Sequence, residues 1–157
     1  MPTVYLNSKT SQARHPGRVR QFSVFTPNRL GRFHELTRLL YSQSVHVLAT
    51  TILDTTDSSI IRLVVDDPEK ARVLMLDNGF PFTESEIVVV ELADATQLNL
   101  LMSALLEAEL NINYLYCFIP HPEGKSMMAM SMEDNDVAEK VLAKHRFRSL
   151  RQTDISR

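Results

Sequence analysis

The chain of 157 residues carries one sequence pattern twice. Two helix-like segments have apolar side chains at matching places, and each is followed by a short apolar run. Leu110 in the second run lies 65 residues after Val45 in the first (110 − 45 = 65). Further along, Phe147 follows Phe80 by 67 residues (147 − 80 = 67). A nearly constant offset indicates two copies of one folding unit, the second with a loop two residues longer.

Each copy has the order strand, helix, strand, strand, helix, strand. β-Branched and aromatic runs predict the strands, and apolar residues three and four apart predict the helices. The fourth strand of the first copy, 82–86, runs directly into the first strand of the second, 87–92. This order predicts an α+β fold of two ferredoxin-like βαββαβ units, with antiparallel sheets and helices on one face. We assign residues 21–86 to the first unit and residues 87–157 to the second.

Helix ends are marked by local chemistry. Asp67 supplies an N-cap carboxylate before a proline in the first turn, and it predicts the start of a helix. Gly79 is suited to end that helix in the left-handed conformation. In the second copy, Asp94 and Gln97 have the spacing of a capping box.

Charge is distributed unevenly along the chain. Residues 1–20 contain four basic residues and no acidic one, so they carry +4. Because the formal net charge is −2, the remainder carries −6 (−2 − 4 = −6). A net-acidic body argues against a nucleic-acid-binding core. We interpret residues 1–20 as a solvated basic tail, since they lack the interleaved aromatic residues of single-strand binders.

Composition bounds the cellular setting. The lone cysteine, Cys117, excludes an internal disulfide framework, and its apolar neighbours predict that it is buried. No apolar stretch approaches the ~20 residues that span a bilayer, and the N-terminus lacks the apolar region of a secretory leader. We therefore expect a cytoplasmic protein without a membrane partner.

Candidate chemistry is sparse. His34-Glu35 is not followed by the second histidine of a zinc hydrolase, because Arg38 stands at that place. The other histidines lack the spacing of metal ligands. There is no glycine-rich phosphate loop and no nucleophile elbow in the sequence. We expect no metal, no cofactor and no enzymatic activity.

Three segments resemble the ACT domain, a regulatory module that binds small ligands. Residues 22–32 are similar to its first strand, loop and helix start, and 45–47 and 110–112 to the segment after that helix. Residues 61–71 are similar to the third strand and second helix of tandem ACT proteins. The chain from about residue 21 therefore resembles a tandem ACT protein.

The resemblance implies that a free amino acid binds at the interface between ACT units. Its contacts would come from the loop before the first helix and from an edge strand. The implied ligand-binding residues are Asn28, Leu30, Gly31, Arg32, His46, Asn111 and Asn113. The physical chemistry agrees, because Gly31 permits close approach of a ligand and free N–H groups at a helix start bind carboxylates. Asn28 offers a donor and an acceptor to a zwitterion, although it is equally suited to a turn or a helix cap.

The sequence departs from the family pattern in several places. Leu30 stands where a proline is usual, and His46 replaces the asparagine that the second copy keeps as Asn111. The second copy lacks the loop motif, since Ala93 and Thr96 occupy the expected asparagine and glycine positions. We therefore expect at most one conventional site per chain.

Two functional hypotheses follow from the resemblance. The first is a regulatory protein that binds a free amino acid and acts allosterically on a partner such as a metabolic enzyme. The alternative is a regulatory subunit that has lost its ligand, similar to the small subunits of amino-acid biosynthetic enzymes such as acetolactate synthase. In either case a homodimer is expected, because exposed edge strands of small sheets tend to be paired.

Overall fold

The computed structural model describes residues 17–27, 30–120 and 124–156. The chain forms two compact units that meet in sequence between Ser85 and Glu86. Unit 1 contains residues 20–85, and unit 2 contains residues 86–155 together with 17–19. Both are α+β and have the predicted ferredoxin-like βαββαβ order, which confirms the predicted fold class.

Unit 1 has a four-stranded antiparallel sheet with strand order β2-β3-β1-β4. Its elements are β1 (Val19–Pro27), α1 (Leu30–Ser42), β2 (Val47–Asp54), β3 (Ser58–Val65), α2 (Pro68–Asp77) and the beginning of β4 (Phe82–Leu92). β2 lies at the outer edge of this sheet. The predicted strands 82–86 and 87–92 are one continuous strand, so β4 belongs to both units.

Unit 2 repeats the arrangement with strand order β7-β4-β6-β5. After β4 come α3 (Thr96–Glu107), β5 (Ile112–Cys117), β6 (Ser126–Met132), α4 (Asn135–Lys144), β7 (Ser149–Leu150) and the short α5 (Gln152–Ile155). β5 is the edge strand here, as β2 is in unit 1. The two sheets therefore place equivalent strands at equivalent positions.

Each unit has its own apolar core on one face of its sheet. In unit 1, alternate residues of the strands, such as Phe22 and Leu63, pack against Leu36 and Leu40 of α1. Strand residues two apart point to the same face, so this contact defines the face that the helices cover. In unit 2 the corresponding cluster contains Val88, Val90, Leu101, Leu105, Met130 and Leu142.

The ends of the helices repeat as well. Asp67 caps α2 by accepting a hydrogen bond from the Lys70 N–H, as predicted. Gly79 has the predicted left-handed conformation, with φ of 70°. Three further residues, without glycine's freedom, are left-handed at the ends of the other helices: Ser44, Glu109 and Arg146.

Two expectations from the sequence need correction. Arg18 and Arg20 do not belong to a solvated tail: β1 begins at Val19, and Arg18 is buried with its guanidinium among three carboxylates. Residues 1–16 of the expected tail lie outside the described residues. Cys117 is exposed rather than buried, because alternation along β5 turns Tyr116 inward and the cysteine outward.

Candidate functional site

The first element of the expected site is the start of α1. Asn28 lies outside the described residues, and so does the side chain of Leu30, with which the helix begins. α1 has no acidic residue in its first turn, whereas α2 carries Glu69 there. Its backbone N–H groups therefore meet no competing carboxylate within that turn. A Cβ on Gly31 would meet no atom within 4 Å, so the space beside it is open to a ligand.

Arg32 is fixed in place by two neighbours. Its guanidinium forms an ion pair with Glu35 at 2.6 Å. The guanidinium carbon also lies 4.3 Å from the centre of the Phe80 ring, in a cation–π contact. A guanidinium held in this way remains partly exposed and is suited to an anionic group.

The second element is His46, which directly precedes β2. Asp66, which directly follows β3, accepts from the His46 backbone N–H through Oδ1 at 2.8 Å. Its other oxygen, Oδ2, lies 2.6 Å from His46 Nδ1. The Asp66 N–H in turn donates to the His46 carbonyl at 3.1 Å. Three hydrogen bonds therefore fix both the backbone and the ring of His46.

This pairing also determines the hydrogen-bonding role of the ring. A carboxylate accepts hydrogen bonds, so the Nδ1 of His46 is the donor and Asp66 the acceptor. In a neutral imidazole the other nitrogen, Nε2, is then an acceptor. Asp66 is only 6% exposed, whereas the His46 side chain is 45% exposed.

A surface pocket of about 300 Å³ adjoins this pair. It lies between the end of α1 and the start of β2, and it is lined by Thr37, Tyr41, Val45, His46 and Val47. Reasoning from the sequence identified His46 but missed Asp66, which resembles an ordinary loop acid beside the helix cap. It also missed Tyr41, although the repeat gives a clue, because its counterpart Leu106 is also strongly exposed (106 − 41 = 65).

Unit 2 contains an equivalent pair. Asn111, which directly precedes β5, donates from Nδ2 to Glu133 at 3.1 Å, and the Glu133 N–H donates to the Asn111 carbonyl at 3.1 Å. Asn113 donates from Nδ2 to Ser131 at 3.4 Å. Both asparagines are exposed on the edge strand side of the unit 2 sheet.

The start of α3 differs from the start of α1 because its own side chains bond to it. The Thr96 N–H donates to Asp94 Oδ1 at 2.8 Å, and the Ala93 N–H donates to Gln97 Oε1 at 2.6 Å. The pattern is a capping box shifted by one residue from the predicted one, since Ala95 is already helical. Unit 2 therefore offers a carboxylate fewer N–H groups at this place.

Within unit 1 the two elements of the expected site are separated by a helix. Gly31 and Arg32 lie at the start of α1, and His46 follows its end. Thirteen helical residues span roughly 20 Å, which exceeds the length of an amino acid. A single amino acid cannot contact both elements of one unit.

Other kinds of site have no support in the described part of the chain. Among residues 17–27, 30–120 and 124–156, no three histidine, cysteine, aspartate or glutamate side chains form a group that could hold a metal ion. No helix in these ranges is both long and apolar enough to cross a membrane.

Comparison with solved structures places this geometry in a known fold. The chain is similar to protein BT0572 from Bacteroides thetaiotaomicron, with 24% identity, a TM-score of 0.80 and coverage of 88% of this chain and 95% of that one. It is also similar to the regulatory subunit of aspartate kinase from Thermus thermophilus, with 12% identity, a TM-score of 0.55 and coverage of 83% and 93%. These identities establish a shared fold.

Sequence comparison identifies the family. No curated protein sequence matches the chain. The family model described as an ACT domain pair matches residues 18–157, which is nearly the whole length. With two βαββαβ units on the page and this match over both, the chain belongs to the ACT domain family as an ACT domain pair.

Proposed function

We propose that this protein is a regulatory protein that binds a free amino acid, and that it is not an enzyme. The family assignment supports a ligand-binding regulatory role. The observation that carries the proposal is the His46–Asp66 pair beside the pocket at the end of α1. A polar group fixed by a buried acid next to an open apolar pocket is typical of a small-ligand site.

The ligand would use both elements of the expected site. Its carboxylate would bind at the start of α1, near Asn28, Leu30, Gly31 and Arg32, where N–H groups and a guanidinium favour an anion. Its ammonium would bind at an edge strand that presents hydrogen-bond acceptors. The candidates are β2 with His46 and β5 with Asn111 and Asn113. Because α1 separates its own start from His46, a second copy of the chain would supply one of the two elements, as in the expected homodimer.

Binding would act on a partner by shifting a conformational equilibrium. A ligand that contacts two copies favours the arrangement in which both contacts form. The affinity for a partner, such as a metabolic enzyme, then changes by the same coupling free energy.

A thermal-shift screen against the twenty amino acids tests the proposal. A ligand at a hundred times its dissociation constant raises the free energy of unfolding by about 2.7 kcal/mol. We expect one or two amino acids to stabilise the protein, and Asn28→Ala to abolish the effect. Asn99→Ala, on the exposed surface of α3, is the matched control and should respond like the wild type. If no amino acid stabilises the wild type, the proposal is wrong.

One observation favours the alternative of a ligand-free regulatory subunit. Tyr41 and Leu106, at equivalent positions of the two units, are 80% and 78% exposed and are available to a protein partner. This alternative requires that no amino acid stabilises the chain. It also requires a stable complex with the catalytic chain of an amino-acid biosynthetic enzyme, such as acetolactate synthase, in size-exclusion chromatography.

A further inference from the structure

We propose that the pocket beside His46 recognises a hydrogen-bond donor, the ammonium group of a small amine with an apolar body, and that Asp66 is the positioning residue that fixes this preference. The inference rests on the proposed function, since it takes the pocket to be a small-ligand site. It adds which end of the ligand binds there.

The first step is the polarity of the ring. Asp66 binds the Nδ1 donor of His46, which leaves Nε2 as an acceptor on a side chain that lines the pocket. Because Asp66 also holds the His46 backbone N–H, the ring cannot turn without losing contacts on both sides. The pocket therefore meets a fixed acceptor.

The second step is the repetition of this polarity in unit 2. Glu133 binds the Nδ2 donor of Asn111, which leaves the amide oxygen Oδ1 as the acceptor of that side chain. The side chains differ between the copies, histidine with aspartate in one and asparagine with glutamate in the other. In both, an acid at the end of the third strand occupies the donor and leaves an acceptor.

The third step concerns charge and shape. The buried carboxylate of Asp66 lies against the far side of the imidazole, so its field attracts a cation and repels an anion at the pocket. Tyr41 adds an aromatic ring, whose face attracts an ammonium group. Val45 and Val47 provide apolar contacts for the body of the ligand.

Two probes of similar size and opposite charge test this preference: phenethylamine and 3-phenylpropionate. We would record two-bond ¹H–¹⁵N spectra of the full chain at pH 8, which report the protonated nitrogen of each histidine. We expect Nδ1–H on His46 and perturbation of its Nε2 by phenethylamine. We also expect at least tenfold weaker binding of 3-phenylpropionate.

Asp66→Asn reverses the hydrogen bond, because an amide can donate to Nδ1. Nε2 would then carry the proton. We expect the affinity for phenethylamine to fall about tenfold and that for 3-phenylpropionate to rise, as loss of one charged hydrogen bond implies. Asp67→Asn is the matched control, since asparagine also caps helices and the same change is made one residue away. If Asp66→Asn does not fold, His46→Phe removes both nitrogens and should abolish phenethylamine binding.

Other outcomes would overturn the inference: unchanged amine affinity in Asp66→Asn, a preference of the wild type for the carboxylate, or no perturbation of His46 by either probe. The amino-acid screen distinguishes these from a failure of the proposed function. A wild type that is stabilised by an amino acid but shows one of these outcomes remains a sensor, with the opposite ligand end at His46.

Discussion

Asp67 and Asp134, 67 residues apart (134 − 67 = 67), cap equivalent helices in the two units with the same hydrogen bond. Asp67 accepts from the Lys70 N–H at 3.1 Å, and Asp134 accepts from the Val137 N–H at 3.0 Å. Each helix thus begins at a fixed residue just after a strand that carries the site pair. The caps therefore help to place Asp66 and Glu133, the residues that directly precede them.

Removing either cap should destabilise the protein. We expect Asp67→Ala and Asp134→Ala each to lower the free energy of unfolding by about 1 kcal/mol, because an N–H of the first turn loses its partner. Urea unfolding followed by circular dichroism measures the loss. Asp134→Asn should retain most of the stability, since asparagine also caps. An asparagine variant as unstable as the alanine variant would contradict the assignment.

The left-handed residues give a prediction of opposite sign. Arg146 is exposed and has φ of 65°, at the position equivalent to Gly79 (146 − 79 = 67). A left-handed conformation costs a non-glycine residue roughly 1 kcal/mol, so Arg146→Gly should raise the free energy of unfolding by up to about that amount. Gly79→Ala should lower it by a similar amount.

Ala143→Gly, at an exposed position within α4, is the control for introducing a glycine. In a helix the substitution should cost about 0.5–1 kcal/mol. If Arg146→Gly is as destabilising as Ala143→Gly in urea unfolding, its conformation contributes no strain.

Much of the fold could be predicted because the information is local or repeated. The internal offset identified two units, and short-range chemistry at Asp67 and Gly79 identified helix ends, which the structure confirms. The left-handed Ser44 and Glu109 could not be found in this way, since neither residue type favours that conformation. Only their equivalence (109 − 44 = 65) relates them to each other.

The candidate site was less predictable because it depends on contacts between distant segments. His46 was identified from the family pattern, but Asp66, 20 residues later, meets it only once the β2–β3 hairpin has formed. Arg18 was placed in a tail because its carboxylate partners lie 68 to 121 residues away in sequence. No local pattern reports such contacts.

The exposure of Cys117 gives a chemical test of the β5 edge. In the wild type an aromatic disulfide reagent should modify this thiol without denaturant, at a rate close to that of the unfolded chain. Absorbance of the released thiolate measures the rate, and Cys117→Ser should show no reaction. A thiol that reacts only in denaturant would show that the β5 edge is covered in solution, as it would be if this edge formed a dimer interface.

Arg18 joins the first residues of unit 2 to its last helices and strand. Its guanidinium donates to Glu139 at 3.0 Å, to Glu86 at 3.1 Å and to Asp136 at 2.8 Å. Arg151 adds a second cation, 3.2 Å from Glu139. Removing one partner of a buried ion pair leaves the others uncompensated, so Arg18→Met should lower the free energy of unfolding by about 3 kcal/mol. Urea unfolding at neutral pH measures this loss, and a loss below about 1 kcal/mol would place the cluster with ordinary surface ion pairs.

The same cluster predicts how stability responds to acid. Burial raises the pKa of Glu139, but the hydrogen bond and charge of Arg18 and the charge of Arg151 outweigh it, so the pKa is below the ordinary 4.5. A carboxyl with a lowered pKa stabilises the fold above its unfolded-state pKa, and this contribution disappears as the pH falls through the folded-state value.

We therefore expect Glu139→Gln to be less stable than the wild type by about 2 kcal/mol at pH 7, the scale of a charged hydrogen bond. The difference should shrink as the pH falls below the ordinary glutamate value of 4.5, because the wild-type carboxyl then becomes protonated as well. Urea unfolding at pH 7, 5, 4 and 3 measures it. Glu109→Gln, at an exposed position, is the control and should show little difference at any of these pH values. A gap between wild type and Glu139→Gln that stays constant from pH 7 to pH 3 would mean that the charge of Glu139 does not stabilise unit 2.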